Sequence, residues 1–159
     1  MAGWIQILDT TYPLTSFSVR KGFGCYFGDG RKGWLPGWEI AHGYHGDGTS
    51  VCIRDHLNYR VNTLLRHDAD SKTSSLLGKW VHYAFVFDRV NKKIFCYVNG
   101  KLQQHVVDIS TVQGSVDNTK TLNFGQQYGW KTKGTLDEYR LYNRALKAHE
   151  IEQLFKNYA

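Results

Sequence analysis

The chain of 159 residues is long enough for one domain with a sizeable core and too short for two. Its 16 glycines and 14% aromatic residues favour strands joined by tight turns over helices. The formal net charge of +6 favours polyanionic partners. However, the basic residues are dispersed and accompany no nucleic-acid-binding motif, so acidic glycans are a better match than nucleic acid.

No apolar run approaches the ~20 residues that a membrane-spanning helix needs. The N-terminus also lacks the basic and apolar regions of a signal peptide. We therefore expect a chain without a membrane span, which is either leaderless or a fragment of a larger protein.

In the first half of the chain, short segments alternate between apolar and polar residues with the period of a half-buried strand. The predicted strands there are residues 4–8, 17–19, 24–27, 38–41, 50–54 and 60–65. The glycine- and charge-rich residues 28–37 and 43–48 between them are predicted to form surface loops.

The clearest unit lies in the middle of the chain. Residues 79–88 and 94–98 predict two strands joined by a turn at 89–92, and residues 101–107 predict a third strand. The pair Asn99-Gly100 before that third strand suits a type I′ hairpin turn, because both central residues of such a turn need a positive φ.

Two further strands are predicted at residues 121–125 and 135–142. Helical character is confined to the end, where Ile151, Leu154 and Phe155 share one face at i, i+3 and i+4. Many short strands with one closing helix favour an all-β sandwich or barrel over an α/β enzyme fold.

Three cysteines are too few for a disulfide scaffold or a zinc cluster. Cys96 lies in an apolar run and is expected to be a small buried hydrophobe. Cys25 and Cys52 are able to pair in an oxidising compartment, but nothing in the sequence requires that they do.

The second half of the chain resembles the laminin G-like jelly-roll domains of the concanavalin A-like superfamily. Residues 77–88, LGKWVHYAFVFD, followed by IFCYVNGKL at 94–102, are similar to the central hairpin of that family. Residues 134–146, GTLDEYRLYNRAL, are similar to its closing motif.

This resemblance implies an antiparallel two-sheet jelly-roll sandwich, with residues 1–159 as a single laminin G-like domain that ends in a short helix. It also places Trp80 and Tyr97 in the core of the central hairpin. Family domains usually carry a strand or two before the first tryptophan, which is Trp4 here. Their absence implies either that this sequence begins inside the domain or that the fold lacks its first strand, and an edge left uncovered there would be able to pair with another chain.

The resemblance further implies a Ca²⁺ ligand at Asp137, because an aspartate at this place in related folds often holds the ion together with backbone carbonyls. The alternative is a hydrogen-bonded carboxylate that closes the sheet and pairs with Arg140. Asp137 and Glu138 are strand neighbours that should point to opposite faces, which argues against their acting together as an acid/base pair.

A second set of candidates is aromatic or basic and lies in or near predicted loops. An exposed aromatic face stacks on a sugar ring, and an adjacent cation suits an acidic glycan. The candidate ligand-binding residues of this kind are Arg31, Trp34, Tyr44, Tyr128, Trp130 and Lys131. The alternative is that these aromatic side chains plug the ends of the sandwich.

A third set, His56, Asn58 and Arg60, forms an H-x-N-x-R pattern that is similar to the sugar-binding strand of galectins. The W-x-x-E block that follows in galectins is missing, so the pattern indicates a polar ligand without indicating that family. The other histidines, His42 and His67 among them, are expected at the surface because no zinc-ligand spacing is present.

The sequence contains no E-x-D carboxylate pair, no G-x-S-x-G elbow, no P-loop and no H-E-x-x-H. It therefore predicts a non-catalytic lectin-like module that binds carbohydrate, with an acidic or sulfated glycan favoured, in an adhesion or targeting role within a larger extracellular protein. The alternatives are a protein–protein interaction module and a glycan-active hydrolase or lyase without a recognisable motif.

Overall fold

The computed structural model of the chain describes residues 1–8, 17–21, 36–42, 48–127, 130–131 and 134–158, with the backbone alone at 17–20, 73–74, 126–127 and 130–131. In chain order the strands are β1 (Ala2–Ile7), β2 (Phe17–Lys21), β3 (Gly37–His42), β4 (Gly48–Arg54), β5 (Arg60–Arg66), β6 (Trp80–Asp88), β7 (Lys93–Val98), β8 (Lys101–Leu102), β9 (Val107–Asp108), β10 (Leu122–Phe124), β11 (Gln126–Gln127), β12 (Trp130–Lys131) and β13 (Gly134–Arg140). Two short 3-10 helices, Ala69–Ser71 and Thr73–Leu76, precede β6, and α1 (Ala148–Lys156) follows β13. No helix in these ranges is long and apolar enough to cross a membrane.

The strands form two antiparallel sheets and a small hairpin. The six-stranded sheet has the order β13-β1-β6-β7-β8, with β9 also paired to β7, and the five-stranded sheet has the order β10-β2-β3-β4-β5. Strands β11 and β12 pair only with each other. The predicted all-β, two-sheet antiparallel sandwich with one C-terminal helix is confirmed.

The core lies between the two large sheets, because alternate residues of each strand point inward. Side chains from both sheets form one apolar cluster, which includes Ile5, Ile40, Val51, Ile53, Leu65, Val81, Tyr83, Phe85, Ile94 and Val98. Cys96 is fully buried in this cluster as a free thiol, as expected for a small apolar side chain.

Helix α1 covers the outer face of the six-stranded sheet. Its fully buried Ile151 packs with Ala84 and Val86 of β6 and with Tyr97 of β7. The apolar stripe predicted from the sequence therefore builds a second, smaller core on the far side of the sheet.

The turn between β7 and β8 has the predicted geometry, because φ is 49° at Asn99 and 76° at Gly100. The single strand predicted at 101–107 is wrong, since β8 and β9 are separate and short. The two strands pair with β7 in different registers, since Tyr97 lies opposite Leu102 and Ile94 lies opposite Val107. Between them, the buried side chain of Gln103 accepts a hydrogen bond from the backbone N–H of Asp68 at 2.9 Å.

Trp80 is 43% exposed, so its predicted placement in the core is wrong. Tyr97 is only 7% exposed and is buried as predicted. Val81 points into the core, so Trp80 points to the outer face of the sheet. Helix α1 reaches His82 on that face through Phe155, with ring centroids 6.1 Å apart, but leaves Trp80 open to solvent.

A chain of polar side chains crosses the core, and it corrects the expectation that His42 and His67 lie at the surface. The Thr49 hydroxyl lies 3.1 Å from Nδ1 of His42 and 3.0 Å from Nε2 of His67, and Nδ1 of His67 lies 3.0 Å from the carbonyl of Ser71. Because a carbonyl only accepts hydrogen bonds, Nδ1 of His67 donates to Ser71. Thr49 links the two imidazoles through its hydroxyl.

Strand β13 contains a bulge. Ala2 of β1 pairs with Arg140 and Trp4 pairs with Asp137, so β13 has one residue more than β1 between these pairs. Glu138 takes up the extra length with a φ of 49°. The expectation that Asp137 and Glu138 alternate between faces is wrong at this point, because Asp137 lies opposite Trp4 and Glu138 lines the same small pocket as Trp4 and His82.

Candidate functional site

The turn that joins β4 to β5 is held by one buried carboxylate. Oδ1 of Asp55 accepts hydrogen bonds from the backbone N–H groups of Leu57 and Tyr59, each at 3.0 Å, and Oδ2 accepts one from Gly114 at 2.8 Å. Asp55 is fully buried. Residues 54–60, which we name the 54–60 turn, therefore have a backbone that is fixed from inside the protein.

The electrostatics of Asp55 follow from the same contacts. Burial by itself raises the pKa of this carboxyl group, but the backbone N–H groups that donate to it together lower the pKa below the ordinary value of 3.8. Asp55 is therefore an ionised structural anchor at neutral pH. Its role matches the turn-forming chemistry expected of aspartate.

A second set of bonds ties the 54–60 turn to the segment that follows β9. The backbone N–H of His56 donates to the carbonyl of Ser115 at 2.9 Å, and the backbone N–H of Ser115 donates to Nδ1 of His56 at 2.9 Å. A Cβ on Gly114 would lie 2.8 Å from the imidazole ring, so this glycine allows the close approach. Nε2 of the exposed His56 remains available to a ligand.

Two arginines face each other at the base of the turn. Arg54 and Arg60 are direct cross-strand partners in the β4–β5 ladder, so their side chains leave the same face of the sheet. Asn58, with a φ of 72°, accepts a hydrogen bond from the guanidinium of Arg54 at 2.6 Å. Burial lowers the pKa of Arg54, the nearby charge of Arg60 lowers it further, and Asp55 partly offsets both effects.

The structure brings one set of sequence-predicted candidates together. His56, Asn58 and Arg60 all lie in the 54–60 turn, and all three are exposed. The galectin-like pattern is therefore on a hairpin turn, with only Arg60 inside a strand.

None of the six candidates of the aromatic and basic set belongs to the 54–60 turn. Arg31, Trp34, Tyr44 and Tyr128 are outside the described residues. Trp130 and Lys131 form β12, for which the backbone alone is described.

Asp137 lies on the exposed part of β13, where its Oδ1 accepts a hydrogen bond from the backbone N–H of Glu138 at 2.8 Å. Arg140 pairs with Glu138 and also donates to the hydroxyl of Tyr158. The expected pairing of Arg140 with Asp137 is therefore replaced by one with Glu138, because the bulge turns that residue toward the arginine. Across the described ranges, no group of three or more His, Cys, Asp or Glu side chains is arranged to hold a metal ion.

Sequence reasoning missed Arg54 and Tyr59 of the 54–60 turn. Tyr59 is 56% exposed and adjoins Arg60, so it supplies an aromatic face next to a cation. Arg54 could have been found from the length of the hairpin loop, because this length determines the register that places Arg54 opposite Arg60.

A row of polar residues crosses the outer side of the five-stranded sheet next to the turn. Glu39 of β3 pairs with Cys52 of β4, and Cys52 pairs with Asn62 of β5, so the three side chains form a row. Glu39 is buried, and Oδ1 of Asn62 is buried without a hydrogen-bond partner among the described residues. The strict alternation in β3 to β5 was the signal that would have found this row.

Cys52 in that row is disulfide-bonded. Its proposed partner Cys25 lies outside the described residues. The sequence alone does not decide whether Cys52 forms a disulfide, and in the structure it does.

A groove of about 680 Å³ opens at the end of the sandwich where β1 begins. Its apolar walls include Trp38, Ile53, Phe87, Leu141 and Leu146. This volume is in the range of sites that hold small molecules or short peptide segments.

One side of the groove is the end of β6. Met1 and Phe85 exchange two backbone hydrogen bonds of 2.9 Å, and Phe87 pairs with Ile94 of β7.

Comparisons with known proteins agree with this architecture. A family model described as the concanavalin A-like lectin/glucanases superfamily matches residues 4–152. A comparison with curated protein sequences finds no match.

Several solved structures share the fold. The chain is similar to the binding domain of Paraclostridial Mosquitocidal Protein 1, with 20% identity and a TM-score of 0.68 over 99% of this chain and 36% of that one. It is also similar to the binding domain of botulinum neurotoxin serotype D, with 11% identity and a TM-score of 0.58 over 98% of this chain and 36% of that one. A third is the receptor binding domain of the botulinum neurotoxin C/D mosaic serotype, with 11% identity and a TM-score of 0.55 over 98% of this chain and 35% of that one. The chain thus spans about a third of the length of these proteins, and the likeness is one of fold.

Proposed function

Because the chain belongs to the concanavalin A-like lectin/glucanases superfamily, we propose that it is a non-catalytic binding module that recognises an acidic or sulfated glycan in an adhesion or targeting role. The observation that carries this proposal is the 54–60 turn. Asp55 fixes its backbone from inside, while Tyr59, His56 and Arg60 are exposed. A preformed site loses little conformational freedom when a ligand binds.

The chemistry of these side chains suits an acidic sugar. The ring of Tyr59 offers a face for stacking on the apolar side of a sugar ring. Nε2 of His56 and the guanidinium of Arg60 offer hydrogen bonds to hydroxyl and acid groups. The net charge of +6 adds a long-range attraction for a polyanion.

The descriptions of the similar solved structures support the same proposal. The similar solved structures are described as binding or receptor binding domains, which is a statement about those toxins. Together with the missing catalytic motifs, this favours recognition over the hydrolase or lyase alternative. Incubation of the protein with the glycans that it binds, followed by product analysis, tests that alternative.

A glycan array that includes neutral, carboxylated and sulfated glycans at low salt tests the proposal. We expect binding to the anionic members and an affinity about tenfold lower for Tyr59→Ala, because an aromatic contact is worth about 1 kcal/mol. Trp80→Ala, which removes another exposed aromatic side chain, from the other sheet, is the matched control and should bind as the wild type does. Silence across the whole array would contradict the proposal.

The groove favours a second candidate function, a protein–protein interaction module. The occupant would be an extended segment of a partner protein that sets apolar side chains on the groove walls. Selection of a peptide library on the wild type, with counter-selection on Leu141→Asp, tests it. Enrichment of alternating apolar sequences would support this function, and no enrichment would contradict it.

We also retain Asp137 as a proposed Ca²⁺ ligand. Exposed oxygen atoms near a bulged strand end match the preference of this ion for several hard oxygen ligands. A thermal melt with and without EDTA tests the proposal, which requires a lower Tm in EDTA for the wild type and no effect of EDTA on Asp137→Asn.

An extracellular location within a larger protein fits the disulfide at Cys52, because disulfides persist in oxidising compartments. Tagging of the natural full-length protein and imaging of its location tests this part of the proposal. Detection only in a reducing compartment would contradict it.

A further inference from the structure

Strand β5 lies at the edge of the five-stranded sheet and has β4 as its neighbour on one side. A hydrogen bond at its start fixes which backbone groups face β4. The backbone N–H of Asp55 donates to the carbonyl of Tyr59 at 3.0 Å, so Tyr59 and every second residue after it turn their N–H and C=O groups toward β4. The residues that turn these groups away from β4 are Arg60, Asn62, Leu64 and Arg66.

The far end of β5 agrees with this assignment, because the outward N–H of Arg66 donates to Nδ1 of His105 at 2.9 Å. Between that contact and the 54–60 turn, no described residue makes a hydrogen bond with the outward N–H and C=O groups of Arg60, Asn62 or Leu64. Residues 60–64 therefore form an open edge, which is about 17 Å long at 3.3 Å per residue.

The side chains of these outward residues lie on the outer face of the sheet, since Val61 and Leu65 between them belong to the core. Arg60 and Arg66 are exposed at the two ends of the strand, and Leu64 is half-buried. Neither of these two guanidinium groups forms an ion pair with a described carboxylate. The open edge therefore has a positive charge at each end.

These charges discriminate between the strands that an open edge is able to accept. If two copies of this chain paired antiparallel through all the outward residues of β5, the arginines at the two ends would lie directly opposite each other. Like charges in this position destabilise a sheet, whereas opposite charges stabilise it. The two arginines therefore oppose self-association and favour an acidic strand.

We propose that β5 is a docking site for an extended acidic segment of a partner protein, which pairs antiparallel with residues 60–64 and becomes the new edge strand. The partner residues opposite Leu64 and Asn62 are apolar and polar, and acidic residues flank them opposite Arg66 and Arg60. The recognised pattern is acidic-x-apolar-x-polar-x-acidic. The inference goes beyond glycan recognition, with which the site shares Arg60 but not Leu64 or Arg66.

Fluorescence polarisation with labelled synthetic peptides tests the docking site. The probe peptide has the sequence glutamate, threonine, valine, threonine, serine, threonine, glutamate, and a second peptide has lysine in place of both glutamates. A third peptide keeps the side chains of the probe but carries N-methyl groups on the valine and serine amides, which face β5. We expect the probe to bind and the other two peptides to bind at least tenfold more weakly. Equal binding of the probe and its N-methylated form would overturn strand pairing.

A charge reversal on β5 separates specific docking from general attraction between charges. We expect Arg66→Glu to weaken binding of the probe about tenfold, because attraction becomes repulsion, and to improve binding of the lysine peptide. Lys120→Glu is the matched control, since it makes the same charge change at an exposed residue near β10, at the opposite edge of the sheet, and should change affinity less than twofold. Equal weakening by both variants would overturn the docking site.

Amide hydrogen exchange measured by NMR locates the bound peptide on the strand. The amides of Asn62 and Leu64 should exchange faster than those of Val61 and Thr63 in the free protein, because β4 protects only the latter pair. A saturating amount of the probe peptide should slow exchange at Asn62 and Leu64 at least tenfold. Binding of the probe without this new protection would overturn the proposal.

Sedimentation velocity tests the choice of an acidic partner over a second copy. We expect the wild type to be a monomer, because pairing of two β5 strands places like charges opposite each other. A dimer that dissociates when the probe peptide is added would assign the edge to a second copy and overturn the proposal. Tyr59→Ala should leave the affinity for the probe unchanged within twofold, so loss of glycan binding alone would contradict only the glycan proposal.

Discussion

Two buried histidines should make the stability of the fold depend on pH. Burial, followed by the nearby charge of His67, lowers the pKa of His42 from 6.5 to about 3. Burial lowers the pKa of His82 from 6.5 to about 4. The folded protein therefore keeps both rings neutral at pH values where the unfolded chain binds a proton on each.

The sign and size of the effect follow from this difference. The stability that these residues contribute is present above pH 6.5 and is lost as the pH falls toward their folded pKa values. Between pH 6.5 and pH 5, each buried ring lowers the free energy of unfolding by about 1.36 kcal/mol per pH unit. Over about 1.5 pH units this amounts to about 2 kcal/mol for each ring. We expect acidification from pH 7 to pH 5 to lower the free energy of unfolding by about 4 kcal/mol through these two rings. Asp55 adds little in this window, because its lowered pKa affects stability only below about pH 4.

Urea unfolding at pH 7 and pH 5, followed by tryptophan fluorescence, measures the loss. His82→Phe removes one titrating ring and keeps the aromatic contacts with Trp4 and Phe155, and Nδ1 of His82 has no hydrogen-bond partner among the described residues to lose. We expect this variant to lose only about 2 kcal/mol over the same pH range. His149→Gln, an exposed position on α1, is the control that should keep the full loss. A loss below about 1 kcal/mol in the wild type, or the same loss in His82→Phe, would refute the reasoning.

Gly3→Ala should lower the free energy of unfolding by about 2 kcal/mol in denaturant titration, because a Cβ would lie 2.5 Å from the Tyr139 ring and overpacking costs roughly this much; an unchanged midpoint would show that the bulge relaxes freely. Glu150→Ala should lower the Tm in calorimetry more than Glu152→Ala, because Glu150 accepts from the N–H that precedes α1 at 2.8 Å, whereas Glu152 only joins an exposed ion pair. Equal shifts would count against the capping contact. Mass spectrometry of a non-reduced digest should find the peptide of Cys52 linked to a second cysteine peptide, and detection of a free thiol there would contradict the disulfide.

Local patterns in the sequence were sufficient to predict the central hairpin and the C-terminal helix. The alternation in β6 and β7 and the positive φ required at Asn99-Gly100 predicted the central hairpin, since these features act over neighbouring residues. The apolar stripe at Ile151 likewise predicted α1. The family motifs then indicated how the elements assemble.

Local patterns failed where a distant segment decides the outcome. Trp80 follows the strand period but is open to solvent, because the length of α1 determines how much of the outer face is covered. His42 and His67 appeared polar and solvent-facing in sequence, yet a threonine from another strand makes them partners inside the core. Glu138 breaks the alternation because β1 is one residue shorter than β13 across the bulge.

The sequence by itself determined that this chain forms an antiparallel sandwich and that His56, Asn58 and Arg60 carry polar chemistry, because residue type and spacing are local properties. Only the tertiary structure decided that Asp55 fixes the turn and that Arg54 joins Arg60, because hydrogen bonds from Gly114 and strand register connect residues that are not neighbours in the chain. A binding surface of this kind depends on which side chains meet, and pairing between strands determines that.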